Sequence, residues 1–134
     1  MANALYEKGR ERLLKAQFDW INDVFNVVLV DTGVYTPNLT SHEYYNAVQA
    51  GVVAGPVPLA AKAVVSGAAD ANDVTFSSVS GASIEAIVCY KSVTNPADSP
   101  LLFYIDTATG LPITPNGGDI IVTWDNGANK IFKP

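Results

Sequence analysis

Two hydrophobic periodicities divide the chain. Near the start, Leu5, Gly9, Leu13, Ala16 and Trp20 recur at the spacing of one helix face, and Leu14, Phe18 and Ile21 widen the stripe. This predicts one amphipathic helix over residues 3 to about 18, with Asn3 as its N-cap. Beyond Asp23 the pattern changes to short β-rich runs bounded by Gly, Pro, Asn or Asp. The run NVVLVD at 26–31 is apolar almost throughout, which predicts a strand covered on both faces at the centre of the core. Further strands are predicted over 58–66, 74–79, 83–92, 101–107, 120–124 and 130–132. In the 83–92 run Ile84, Ala86, Val88 and Tyr90 alternate with Glu85, Ile87, Cys89 and Lys91, so its middle is apolar on both faces. Residues 41–48, SHEYYNAV, predict one or two helical turns capped by Ser41.

Turn chemistry separates these runs at Ser80-Gly81, Asn95-Pro96, Thr109-Gly110 and Asn116-Gly117-Gly118. Residues 124–130, WDNGANK, predict a hairpin, because Asn-Gly suits the positive φ angles of a type I′ turn. About seven short strands behind one N-terminal helix predict a mainly β fold, a β-sandwich or jelly-roll-like barrel. The whole chain, residues 1–134, is expected to be a single domain with its β-rich body over about 26–134.

A chain of 134 residues can bury roughly two-thirds of its unfolded surface and needs no metal or disulfide to fold. Cys89 is the one cysteine, so no intrachain bridge forms and a reducing cytoplasm is expected during folding. Hydrophobic residues make up 49% and charged residues 16%, against about 25% charged in a typical soluble domain. So little surface charge predicts apolar surface buried against other subunits, as a homo-oligomer or a docked complex. The net charge of −5 argues against nucleic acid as a partner. Within residues 1–15, however, Lys8, Arg10, Arg12 and Lys15 against Glu7 and Glu11 give +2, which leaves −7 for the remainder. Lys8, Arg12 and Lys15 fall at i, i+4 and i+7, with Glu11 and Lys15 as an i, i+4 pair. The ordinary reading is a solvated helix face, and the sharper one is a basic stripe that meets an acidic neighbour. No apolar run follows the early basic residues as in a secretory signal, so synthesis and folding in the cytoplasm are expected. No membrane span is expected either, since Gly51, Gly55, Pro56, Pro58 and Lys62 interrupt the weakly charged stretch over 48–69.

Candidate chemistry is thin, and no enzymatic activity, cofactor or metal is expected. His42 is the one histidine and lies beside Glu43 in a polar segment, where a hydrogen-bonding role is the ordinary reading. Gly81-Ala82-Ser83-Ile84-Glu85 begins like a nucleophile elbow, but Glu85 replaces the closing glycine. Cys89 sits in an apolar strand and reads as core. Asp70-Ala71-Asn72-Asp73 continues into Val74 and Thr75 where a calcium loop needs an oxygen ligand and a glycine, so a turn is the better reading. Gly117-Gly118-Asp119 lacks the lysine of a phosphate-binding loop.

Four segments, MANALYEKGRE, VVLVDTGVYT, NDVTFSSVSG and IDTATGLPITPNGGDIIVTWDNGANKIFKP, together resemble a family of small virion-associated proteins encoded by tailed bacteriophages. The resemblance spans nearly the whole chain, is strongest after Asp73 and is weakest over 49–65, which is richer in Val, Ala and Pro. It implies a structural role in the virion, first as a capsid decoration or cement protein, with a neck, tail or fibre location as the alternative. The partners it implies are the major capsid protein or other virion proteins. The contact candidates are Lys8, Arg12 and Lys15 of the basic stripe, and Val52, Val53, Pro56, Val57 and Pro58, whose prolines suit an extended arm or a sheet edge. The ordinary reading of the second set is a loop folded over the domain's own core. A different class of function, a carbohydrate-binding β-sandwich, would use Trp20, Tyr35, Tyr44, Tyr45 or Trp124 as stacking platforms.

Overall fold

The apolar run at 26–31 forms the strand around which the other elements are arranged. A computed structural model describes residues 4–108, 110–124, 127 and 130–132. In chain order the elements are β1 (Ala4–Leu5), α1 (Glu7–Leu14), β2 (Phe25–Val30), β3 (Val52–Pro58), β4 (Ala63–Val65), β5 (Ala68–Asp70), β6 (Val74–Phe76), β7 (Ala86–Lys91), β8 (Leu101–Ile105) and β9 (Ile120–Val122). Single 3-10 turns lie at Tyr45–Ala47, Gln49–Gly51 and Pro96–Asp98. β1, β8, β7, β2 and β3 form, in that order, a five-stranded antiparallel sheet, while β4 with β5 and β6 with β9 form two ribbons. The protein is therefore mainly β behind one N-terminal helix, with nine strands among the described residues. The large sheet ends at β1 and β3 and does not close into a barrel.

β2 and β7 pair without a break from Phe25↔Lys91 to Val30↔Ala86, and both are covered on both faces. Phe25, Val27 and Leu29 with Ile87 and Cys89 enter one cluster, closed by Phe18, Trp20, Phe76, Val122 and Trp124. Val28 and Val30 with Ala86, Val88 and Tyr90 enter the second, closed by Tyr6, Tyr35, Tyr45 and Val48. The indole N–H of Trp20 donates to the Ala63 and Asp70 carbonyls at 3.0 and 3.1 Å, which ties the β4–β5 ribbon to the first cluster.

A bulge sets where the helix sits. Cys89 pairs with Phe103 and Tyr90 with Leu101, so Leu102 is skipped, and Leu102 and Phe103 both turn to the first cluster while Leu101 and Tyr104 join the second. Gly9 of α1 rests on this bulge, where an added Cβ would lie 2.9 Å from the carbonyl oxygens of both Leu101 and Leu102.

The helix is shorter than the predicted 3–18. Residues 4 and 5 pair with Tyr104 and Phe103 instead, Tyr6 caps from extended backbone, and Ala16 turns out of the helix at φ 57°. Asn3 lies outside the described residues. The predicted stripe mixed two environments: Phe18 and Trp20 are buried beyond the helix, whereas Leu14 is 88% and Ile21 49% exposed. At 41–48 the predicted turns are 3-10 and begin at Tyr45; Asn38, rather than Ser41, organises the segment by accepting from the N–H groups of Thr40 and Ser41. The predicted 58–66 strand divides, because β3 ends at Pro58 and pairing resumes over Ala63–Val65. Of the predicted 130–132 strand, Phe132 forms an isolated bridge with Ala69. The turn at 109–110 and the hairpin at 124–130 fall partly on residues outside those described.

Gly9→Ala is predicted to destabilise the protein by about 1–3 kcal/mol in urea unfolding, through overpacking against β8. On an open helix face the same change would stabilise by about 1 kcal/mol, so the sign of the measured change tests the close approach.

Candidate interaction surfaces

β3 is an edge strand, bonded along one side to β2. Its register breaks twice, with Val30↔Val52, Leu29↔Ala54 and Val27↔Val57, so Val53 is one extra residue and Gly55 and Pro56 together oppose Val28 as the other bulge. At Gly55, φ is +97° and an added Cβ would meet the Val27 carbonyl oxygen at 2.8 Å, so glycine lets the bulge lie on β2. Pro56 and Pro58 lack a donor, which an edge tolerates and which blunts strand addition. Both sequence readings of 52–58 hold in part: the segment is an edge strand, and its Val53 and Val57 pack on the first cluster and Val52 on the second. Gly55, Pro56 and Pro58 are exposed, and Val52, Val53 and Val57 are half-buried. Beside this edge a groove of about 560 Å³ runs between residues 53–57 and 75–80; among the described residues no charged side chain lines it, while the Asp119 carboxylate accepts from the N–H of the lining residue Ser78 at 2.9 Å.

The predicted basic stripe is divided by its partners. Lys8 pairs with Glu11 at 3.8 Å, so Glu11 takes Lys8 rather than the predicted Lys15. Arg12 donates from Nη2 to Glu43 at 2.8 Å and to the Tyr44 hydroxyl at 3.1 Å, and from Nη1 to Gln17 at 3.3 Å. Its guanidinium also lies 5.5 Å from the centroid of the Tyr44 ring. An acidic neighbour for Arg12 thus exists within the chain, and it fastens α1 to the segment carrying Glu43. Lys15 is exposed.

Residues 31–51 cover the second cluster. Tyr45 stacks on Tyr90 at 3.9 Å between centroids with planes 9° apart, and burial pushes the Tyr45 hydroxyl up to about 12. The Tyr6 hydroxyl lies 2.8 Å from that of Tyr35, which lies 2.9 Å from His42 Nδ1. Burial, then Tyr35, raises the Tyr6 pKa far above its usual value, and burial lowers that of His42. The sequence marked His42 but gave no sign of Tyr6, whose partner lies 29 positions away.

The other chemical candidates are engaged in holding the fold. Ser83 Oγ donates to Glu85 at 2.6 Å, and Glu85 also accepts from the Thr32 N–H at 2.9 Å; these bonds lower the Glu85 pKa. Glu85 lines a second cleft of about 420 Å³ with Thr32, Tyr104 and Asp106 at the end of the sheet where β2 and β8 finish. Asp70, the last residue of β5, accepts from the Ala71 N–H and Asp73 from the distant Trp124 N–H, so this stretch is an irregular link between β5 and β6 rather than the expected turn. Among the described residues no group of three or more His, Cys, Asp or Glu is placed to hold a metal ion. Cys89 is fully buried, which raises its thiol pKa. Of the five proposed sugar platforms, Trp20, Tyr35, Tyr45 and Trp124 are buried, and Tyr44 is half-buried beneath Arg12. Ile21, Val24 and Val93 form exposed apolar surface where β2 begins and β7 ends. No helix among the described residues is long and apolar enough to cross a membrane.

Neither family models nor curated proteins give a match to this chain.

Arg12→Ala is predicted to cost about 1 kcal/mol in urea unfolding, the scale of a partly buried, hydrogen-bonded ion pair. Arg12→Lys is predicted to recover less than half of that loss, because an ammonium cannot bond Glu43, Tyr44 and Gln17 from one planar fork.

Proposed function

We propose that this chain is a non-enzymatic structural protein of a tailed-bacteriophage virion, acting as a capsid decoration or cement protein that bridges subunits of the assembled shell. The observation that carries this reading is the uncharged edge and groove at β3, on a body whose candidate chemical groups are bonded to its own backbone and side chains. Stable interfaces are depleted in charge at their cores, and this surface shares that depletion in a chain with 16% charged residues, with the hydroxyls of Thr75, Ser77, Ser78 and Ser80 along the groove. The four collinear segments that resemble small virion-associated proteins support the same role. Val52, Val53, Pro56, Val57 and Pro58 are the contact residues, and Lys15, beside the half-buried Lys8 that pairs with Glu11, supplies exposed positive charge at a second surface. The partners are the major capsid protein and further copies of this chain.

The test is the copy number of the protein relative to the major capsid protein, by quantitative mass spectrometry of purified particles of the encoding phage. A decoration protein is present in hundreds of copies. A handful would relocate it to the neck, tail or fibre, and its absence from particles would overturn the structural reading.

A further inference from the structure

The hydrogen bonds around His42 fix its protonation state. The Asn38 N–H, which can only donate, points at His42 Nδ1 at 3.3 Å, so Nδ1 carries a lone pair and the ring proton lies on Nε2. Tyr35 therefore donates its hydroxyl proton to Nδ1 at 2.9 Å, and Tyr6 donates to the Tyr35 oxygen at 2.8 Å. The order runs one way, from a fully buried tyrosine through a second buried one to a half-buried imidazole. This chain joins the turn over 35–42 to Tyr6, between β1 and α1. The same turn meets α1 where the Glu7 N–H donates to the Leu39 carbonyl at 2.8 Å, and it folds on itself where the His42 N–H donates to the Asn38 carbonyl at 3.0 Å.

We propose that His42 is an acid-sensitive latch: its neutral form holds the 35–42 turn against Tyr6, and protonation at Nδ1 loosens that turn while the sheet stays folded. A proton on Nδ1 would face the Asn38 N–H, donor against donor. It would also force Tyr35 to accept from His42 and donate to Tyr6, whose own proton would then need a new acceptor in the core. The charged and titratable groups around the latch do not offset this. Glu43, next in the chain, is engaged by Arg12 of α1, and the groups beyond Tyr35 are the hydroxyls of Tyr6 and Tyr104, with the carboxylates of Asp106 and Glu85 acting on Tyr104 rather than on His42.

Burial lowers the His42 pKa from its usual 6.5, so the folded turn prefers the neutral ring. The stability this provides is fully present above pH 6.5 and is lost as pH falls from there to the folded-state value. Opening of the turn is predicted to rise by about tenfold for each unit between the two pKa values. The sheet is held by contacts that do not titrate in this range, so it keeps its protection.

His42 is the one histidine, so its imidazole signals in proton NMR report the titration without ambiguity. The experiment follows those signals from pH 8 to 4 alongside amide exchange, corrected for its intrinsic pH dependence, at Asn38, His42 and Glu7, with Val28 and Val88 as controls. The expected result is a His42 midpoint below 6.5 and a loss of protection in the turn that sets in near pH 6.5 and levels off below the His42 midpoint, while the controls hold. His42→Gln, which retains an acceptor but cannot titrate, is expected to remove the pH dependence. A midpoint at or above 6.5 would overturn the latch. So would turn protection that stays constant between pH 6.5 and the His42 midpoint, including a loss confined to pH below that midpoint. If His42→Gln does not fold, the wild-type comparison of turn protection with the His42 titration decides alone.

Discussion

The structure depends on burying one strand pair on both faces. β2 and β7 pair through six consecutive positions, and ten of those twelve residues are buried. Two such strands send apolar side chains in opposite directions, so the chain must supply a cover on each side. On one side these are the ribbons with Trp20 and Trp124, and on the other Tyr6 with the 31–51 segment. Most of the large aromatics serve these covers, which leaves few for external recognition. The indole bonds of both tryptophans end on backbone carbonyls, so even their polar atoms are committed to the fold.

This commitment shapes the outside. With charge scarce, the polar side chains do local work: Arg12 fastens Glu43 and Tyr44, Lys91 pairs with Asp23 at 3.2 Å, and Asp73 holds the Trp124 backbone. β3 is left with one side unpaired, its prolines and bulges discouraging indiscriminate strand addition, and an uncharged groove beside it. A surface that resists random pairing and is lined by hydroxyl and apolar groups rather than charges suits docking on a specific partner. That is the physical core of the proposed virion role.

The sequence was most legible where a single local rule governs. The continuous run at 26–31 and the doubly apolar middle of 83–92 marked the central strands, and Pro56 and Pro58 marked an edge. It misled where distant contacts win. Phe18 and Trp20 matched a helical period although they are buried against Phe25 beyond the helix, because hydrophobic spacing does not distinguish a helix face from a loop folded onto a core. Pairing of Ala4 and Leu5 with β8, nearly a hundred residues later, leaves no local trace. The surfaces followed the same division. The 52–58 segment could be picked out by composition, whereas the Arg12–Glu43 pair and the Tyr6–Tyr35–His42 chain join residues that only the fold brings together.

The central claim is that the uncharged β3 edge and its groove dock on an assembled capsid. The most direct measurement adds purified protein to capsids lacking it and follows binding and disruption temperature, with a Thr75→Glu, Ser77→Glu variant in parallel. Both residues are exposed and line the groove, so the variant should fold normally while placing charge where the account requires none. The account predicts that the wild-type protein binds and raises the disruption temperature, as any ligand of the assembled state must, and that the variant does neither. Wild-type protein that fails to bind, or a variant that protects capsids as well as the wild type, would contradict it.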